Sequence, residues 1–239
     1  MGTVVKPTYI FLTAKPWNDA TFTELEKDQN VNWVRIKSKE EFQYSKIAEL
    51  QPAKIFIPHW SYMIPAEIFN SFECIVFHMT DLPYGRGGSP LQNLIQRGHS
   101  KTKLTTLRCM AELDAGPIYD QEEISLEGSA EEIFLRADHV IEAMIKRHVQ
   151  NKLDPQPQKG KPVYFKRRSP DQSNLATCSA GDLLTWYDHI RMLDADGYPH
   201  AYLQVGDLRL EFRRSSLRSD GIHCDVRISS NPKTAFDQA

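Results

Sequence analysis

Paired cysteines are missing from this chain. Its four, Cys74, Cys109, Cys178 and Cys224, are scattered over 239 residues and form no Cys-x-x-Cys. That excludes a disulfide framework and predicts free buried thiols in a reducing compartment. No apolar run is long enough to cross a bilayer, so no membrane partner is expected. The first residues, Met1-Gly-Thr-Val-Val-Lys6, lack the basic-then-apolar pattern of a signal peptide, and the expected location is cytoplasmic. A formal net charge of −2 gives no general pull toward nucleic acid. The eight histidines show no metal-ligand spacing, so no metal is expected. Repeats and low-complexity segments are absent.

What is present is ordinary globular composition, 41% hydrophobic and 25% charged. The first half alternates short apolar strands (8–13, 32–37, 54–58, 73–77) with helical segments (17–29, 39–50, 65–72, 90–97), and further strands follow at 103–108 and 117–121. Ser129-Ala-Glu-Glu132 is a capping box that opens a long helix to about Asn151. Repeated strand–helix units predict an α/β fold, a Rossmann-like, mostly parallel sheet with helices on both faces. Residues 153–162 are rich in proline and polar side chains, the chemistry of a linker. A helix over 180–193, with Leu183, Trp186, Ile190 and Leu193 on one face, and strands at 201–205, 208–212 and 223–228 predict a small C-terminal helix-plus-β region. The expected organisation is a catalytic domain over 1–152, a linker over 153–175 and a C-terminal region over 176–239, with the last ten residues frayed.

Two loops carry the chemistry. The apolar run 74–77 leads into His78, and open α/β sheets keep their reactive groups at strand ends. His78-Met-Thr-Asp-Leu-Pro83-Tyr-Gly-Arg-Gly87-Gly-Ser-Pro90 is an irregular, glycine-rich segment, and Leu113-Asp114-Ala-Gly116-Pro-Ile118 is a second turn. An imidazole and a carboxylate on neighbouring loops can form a positioned acid/base pair.

These loops resemble the formyltransferase family. His78, Leu82, Pro83, Gly87 and Pro90 fall at the family's spacing, as do Leu113, Asp114, Ala115, Gly116 and Ile118, while Thr80 stands where serine is usual. Segment 55–65 is similar to the stretch that lines the family's folate pocket; Arg168-Ser-Pro-Asp171 and residues 190–201 are similar to its C-terminal region. The resemblance implies an enzyme that moves a formyl group from 10-formyltetrahydrofolate to an amine, without a metal. It implies His78 and Asp114 as proton-handling residues, and Trp60, Ser61, Tyr62, Met63 and Ile64, with Asp114, as the folate slot. His59, Thr80, Arg86, Gly87, Gln92, Arg167 and Arg168 become acceptor-binding candidates.

The family's oxyanion-binding asparagine is replaced by Val76, which predicts either weaker catalysis or a donor that has moved: Asn93 or its neighbour Gln92 as the natural substitute, otherwise His59, Thr80 or a backbone N–H of the glycine-rich loop. The pattern over 77–93 is similar to sugar N-formyltransferases of nonulosonic (pseudaminic) acid pathways. It implies a nucleotide-linked amino-dideoxy sugar acceptor of the UDP-4-amino-4,6-dideoxy-N-acetyl-altrosamine type, no nucleic-acid partner, and a homodimer. The alternatives are another amine acceptor, such as methionyl-tRNA, and a folate-binding protein without catalysis.

Overall fold

A computed structural model describes residues 6–178 and 182–230. Six strands form the main sheet in the order β2-β1-β3-β4-β6-β7. β1 (Thr8–Thr13), β2 (Asn32–Ile36), β3 (Lys54–His59) and β4 (Cys74–His78) run parallel, whereas β6 (Lys101–Arg108) and β7 (Ile118–Ser125) are antiparallel to their neighbours. The sequence explains the division. β1, β3 and β4 are continuous apolar runs, with Ile10, Phe11, Leu12, Ile55, Phe56 and Ile75 fully buried, as strands covered on both faces must be. β7 carries Asp120, Glu122 and Glu123, charges that suit an edge strand.

The molecule divides into two compact units whose segments interleave along the chain. One comprises residues 1–90, 101–125 and 134–165; the other comprises 91–100, 126–133 and 166–239. The expected boundaries at 152 and 175 are not where these units part. In the first unit, α2 (Tyr44–Leu50) and α3 (Ala66–Ser71) bring Ile47 and Ile68 onto one face of the sheet, where they join Ile10, Leu12, Ile55 and Ile57 in one apolar cluster. The long helix α5 (Ala130–Gln150) buries Ala137, Ile141, Met144, Ile145 and His148 at helical spacing. The second unit holds α6 (Leu183–Arg191), N-capped by Asp182, whose carboxylate accepts the Thr185 N–H at 2.7 Å. It also holds an antiparallel sheet of β9 (Ala201–Val205), β10 (Leu208–Arg218) and β11 (Gly221–Ser230), ordered β11-β10-β9.

Several elements differ from their sequence pattern. The helix expected over 17–29 is a 3-10 turn, Pro16–Asn18, followed by α1 (Asp19–Leu25). The buried Asn18 amide interrupts it, accepting from the Thr13 hydroxyl at 2.9 Å and donating to Asp138 at 2.6 Å. α2 begins at Tyr44 rather than Lys39, because Phe42 turns into the core ahead of it. The supposed linker is a strap. Gln156 and Ile118 exchange both backbone bonds at 2.8 Å, and β8 (Val163–Phe165) pairs with β5 (Tyr84–Gly87). Proline-rich composition here encodes extended chain with ordered partners. Of the four thiols, only Cys74 is fully buried. The expected helix start at 180, the frayed last residues and the residues used to judge a signal peptide lie outside the described residues. Among the described residues no helix is long and apolar enough to cross a membrane.

His148 is 1% exposed, and its Nε2 lies 3.1 Å from the Thr106 hydroxyl. Burial, then Lys54, push its pKa down to about 4. Its folded pKa is below the unfolded value, so between about pH 6.5 and 4 the unfolded chain binds the extra proton and stability falls as the pH drops. Replacing His148 with leucine should flatten the stability–pH slope in that window by about one proton, read by urea unfolding from pH 4 to 7. An unchanged slope contradicts this assignment.

Candidate active site

β4 delivers His78 to the end of the parallel strands. In β4, Val76 packs against the apolar cluster beneath it, and His78 follows two residues on, on the same face. Backbone pairing sets His78 opposite Thr105 of β6. The Thr105 hydroxyl reaches forward to the Thr80 carbonyl at 2.7 Å and pins the first turn of the loop. The chain then passes a cis Leu82–Pro83 bond and enters β5.

His78 is 7% exposed. Its Nε2 is 2.8 Å from the Gly85 carbonyl oxygen, and its Nδ1 is 3.6 Å from Asp114 Oδ2. A carbonyl only accepts, so Nε2 carries the proton and donates it to Gly85. Nδ1 is left as the lone pair, facing the carboxylate. A proton taken at Nδ1 would therefore lie against Asp114, which is the arrangement of a base beside its counter-charge.

Asp114 is held as firmly. Its Oδ2 accepts the Gly87 N–H at 2.9 Å, and its backbone sits at φ 52°, a conformation that L residues seldom adopt. The Gln158 side-chain amide donates to both the Asp114 and Gly116 carbonyls at 2.8 Å. The glycines are sterically required. A Cβ on Gly116 would meet the Arg108 carbonyl oxygen at 1.8 Å, and one on Gly87, at φ +109°, would meet the Phe165 carbonyl oxygen at 2.4 Å.

The other expected site residues fall into three groups. Trp60, Tyr62 and Met63 line an open cavity of about 560 Å³ together with Phe42 and Tyr44. Trp60 meets Phe42 and Tyr62 edge-on, Tyr62 and Met63 are exposed, Ser61 is also exposed, and Ile64 packs against the core cluster. His59 is embedded among aromatics instead. It lies edge-on to Trp17 and Phe134, its Nδ1 accepts the Trp17 N–H at 3.5 Å, and burial, then Lys15, lower its pKa to about 4. Thr80 is fully buried, its hydroxyl 3.5 Å from the Gly85 carbonyl.

The amides expected to replace the missing asparagine have partners of their own. In the second unit, Asn93 donates to the Lys166 carbonyl at 3.0 Å and accepts from Arg97 at 2.8 Å, and Gln92 donates to the Met192 carbonyl at 3.1 Å. Arg168 binds Gln96 and the Gln172 carbonyl, while Arg167 is exposed. Arg86 is 9% exposed and wrapped by its own unit, donating to Gln158, Glu112 and Tyr164. Gln158, Glu112 and Tyr164 carried no signal in the sequence. Met110 and Leu113, exposed on the Asp114 loop, were likewise not anticipated. No group of side chains among the described residues could hold a metal ion.

Gly116→Ala should cost roughly 1–3 kcal/mol, because the added methyl forces the Asp114 turn away from Arg108. Thermal unfolding checks this, and a melting temperature equal to that of the parent would show that the turn is not packed as described.

Residues 170–229 match the family model of the methionyl-tRNA formyltransferase C-terminal domain. Methionyl-tRNA formyltransferase of Bacillus cytotoxicus is 31% identical over 176 residues, which is 70% of this chain and 55% of that protein. The chain thus spans about half the length of the curated relatives it matches. A solved structure described as methionyl-tRNA formyltransferase from Clostridium thermocellum is 42% identical, covers 94% of this chain and 100% of its own, and superposes with a TM-score of 0.91. A sugar N-formyltransferase from a Shewanella species superposes at 0.70 with 18% identity, a likeness of fold alone. These relatives correct two expectations. The nucleotide-sugar acceptor, with its pseudaminic acid pathway, is set aside, and so is the exclusion of nucleic acid, since the proteins similar in sequence are named for methionyl-tRNA. The fold, the two loops and the 42% identical structure place this chain in the formyltransferase family.

Proposed function

We propose that this chain transfers a formyl group from 10-formyltetrahydrofolate to the α-amine of methionyl-tRNA in the cytoplasm. The observation that carries the reading is the His78–Asp114 pair, with Nδ1 3.6 Å from Oδ2 and Nε2 committed to Gly85. The neutral amine attacks the formyl carbon and forms the new C–N bond. Nδ1 takes the proton released from the amine nitrogen, and Asp114 holds the resulting imidazolium. The tetrahedral intermediate collapses by breaking the bond to folate N10, which leaves with the proton returned from Nδ1, and the imidazole is neutral again. Val76 offers no side-chain donor to the oxyanion, and the Gly87 and Gly88 N–H groups are already bonded to Asp114 and to the Phe165 carbonyl, so the protonated Nδ1 supplies it until its proton moves on.

Trp60, Ser61, Tyr62, Met63 and Ile64 are assigned to folate, because exposed flat and thioether side chains give a pterin an apolar surface. Met110 and Leu113 are further exposed apolar side chains, on the Asp114 loop. The match of residues 170–229 to a methionyl-tRNA formyltransferase domain supports a role for the C-terminal region in holding the acceptor, with exposed Arg167 available to a phosphate.

Incubation with 10-formyltetrahydrofolate and methionyl-tRNA, followed by hydrolysis of the ester and mass spectrometry, should show N-formylmethionine. Unmodified methionine at full enzyme loading contradicts the proposal. His78→Ala and Asp114→Ala should each lower turnover at least about 100-fold in folded protein, as a lost acid/base group does. Trp60→Ala should weaken folate binding more than acceptor binding; equal effects would return Trp60 to the core.

A further inference from the structure

Gly85 and Gly87 touch the reactive pair from one strand, with Arg86 between them. The Gly85 carbonyl accepts from His78 Nε2, and the Gly87 N–H donates to Asp114 Oδ2. The side chain between them points into a relay. Arg86 Nε and Nη2 both donate to Gln158 Oε1, at 3.1 and 2.8 Å, and the Gln158 amide nitrogen donates to the carbonyls of Asp114 and Gly116. Gln158 thereby uses both donors and both acceptor sites of its amide, with nothing left over. The far side of the guanidinium is closed by Glu112, at 2.9 Å from Nη1, and by Tyr164, whose hydroxyl is 3.2 Å from the same nitrogen and donates to Glu112 at 3.0 Å.

We infer that Gln158 is a positioning residue for Asp114: it fixes the carboxylate's turn to the strand that holds His78, through Arg86. The inference rests on the proposed role of the pair and reassigns Arg86 from acceptor contact to support. The chemistry demands an amide at position 158. A carboxylate there would still satisfy Arg86 but would set its oxygens against two carbonyl oxygens. A leucine would take the partner from Arg86 Nε and Nη2 and from the Asp114 and Gly116 carbonyls together. The turn itself is under strain, with Asp114 at φ 52°, so it keeps that shape only while its surroundings hold it. Without the relay the Gly87–Asp114 bond has no lateral support, and a displacement on the order of 1 Å in such a pair costs about 100-fold in rate.

The test reads the Gly87 amide directly. Amide hydrogen exchange by NMR on the full chain should show Gly87 losing protection about 10-fold or more in Gln158→Leu and in Gln158→Glu. The Ile55 amide, bonded to the Glu73 carbonyl in the core at 2.9 Å, should be unchanged. Unchanged Gly87 protection overturns the inference, and so does equal loss at Gly87 and Ile55, which would mean general loosening. Gln158→Glu serves if the leucine variant does not fold. In the formylation assay, Gln158→Leu should lower kcat about 10–100-fold with both KM values within about threefold, and should cost nothing further in an Asp114→Ala background. Additive losses contradict positioning. A wild-type chain that formylates nothing sinks the proposed function, while the exchange measurement still decides the relay.

Discussion

The hydrogen bond from His78 Nε2 to the Gly85 carbonyl governs the rest of the site. A backbone carbonyl cannot donate, so this contact fixes which ring nitrogen carries the proton and leaves Nδ1 with the free lone pair. Asp114 faces Nδ1 because the neighbouring Gly87 N–H holds its carboxylate. Both partners are thus registered by one short strand, and the geometry of the pair follows from the backbone of Gly85–Gly87.

That strand depends on a segment distant in sequence. β5 pairs with β8, and the Phe165 carbonyl lies so close to Gly87 that only glycine fits there. The stretch between α5 and β8, whose composition suggests a loose connection, closes over the site by pairing Gln156 with Ile118 and by inserting Gln158 between Arg86 and the Asp114 turn. A strained aspartate conformation, a buried guanidinium and several steric glycines are local costs, and the parallel core of β1, β3 and β4 provides the rigid base against which they persist.

The parts that were legible in the sequence are those set by local chemistry. Apolar runs marked the buried strands, Pro90 and Gly98 bracketed α4 (Pro90–Gln96), and the two loops showed their residue types because tight turns and close backbone contacts admit few others. Gln158 was invisible because an isolated glutamine among prolines has no pattern, and its meaning arises only where the chain returns to Arg86. Arg86 itself looked like an anion contact because a sequence shows its charge but not its burial. Asn93 and Gln92 looked available for the same reason. The acceptor was misread from the His78 loop, which serves the formyl-transfer chemistry that the whole family shares and carries little information about which amine is presented. Similarity along most of the chain, including residues 170–229, is to proteins named for methionyl-tRNA.

The account turns on which nitrogen of His78 bears the proton and what faces the other. NMR of the chain labelled uniformly with nitrogen-15 and carbon-13, with detection of the coupling across the Gly87 N–H to Asp114 carboxylate bond, measures both at once. The account predicts the Nε2–H tautomer for neutral His78 and a resolved coupling from the Gly87 amide to the Asp114 side-chain carbon. An Nδ1–H tautomer, or a Gly87 amide with no coupling to that carboxylate, would contradict it.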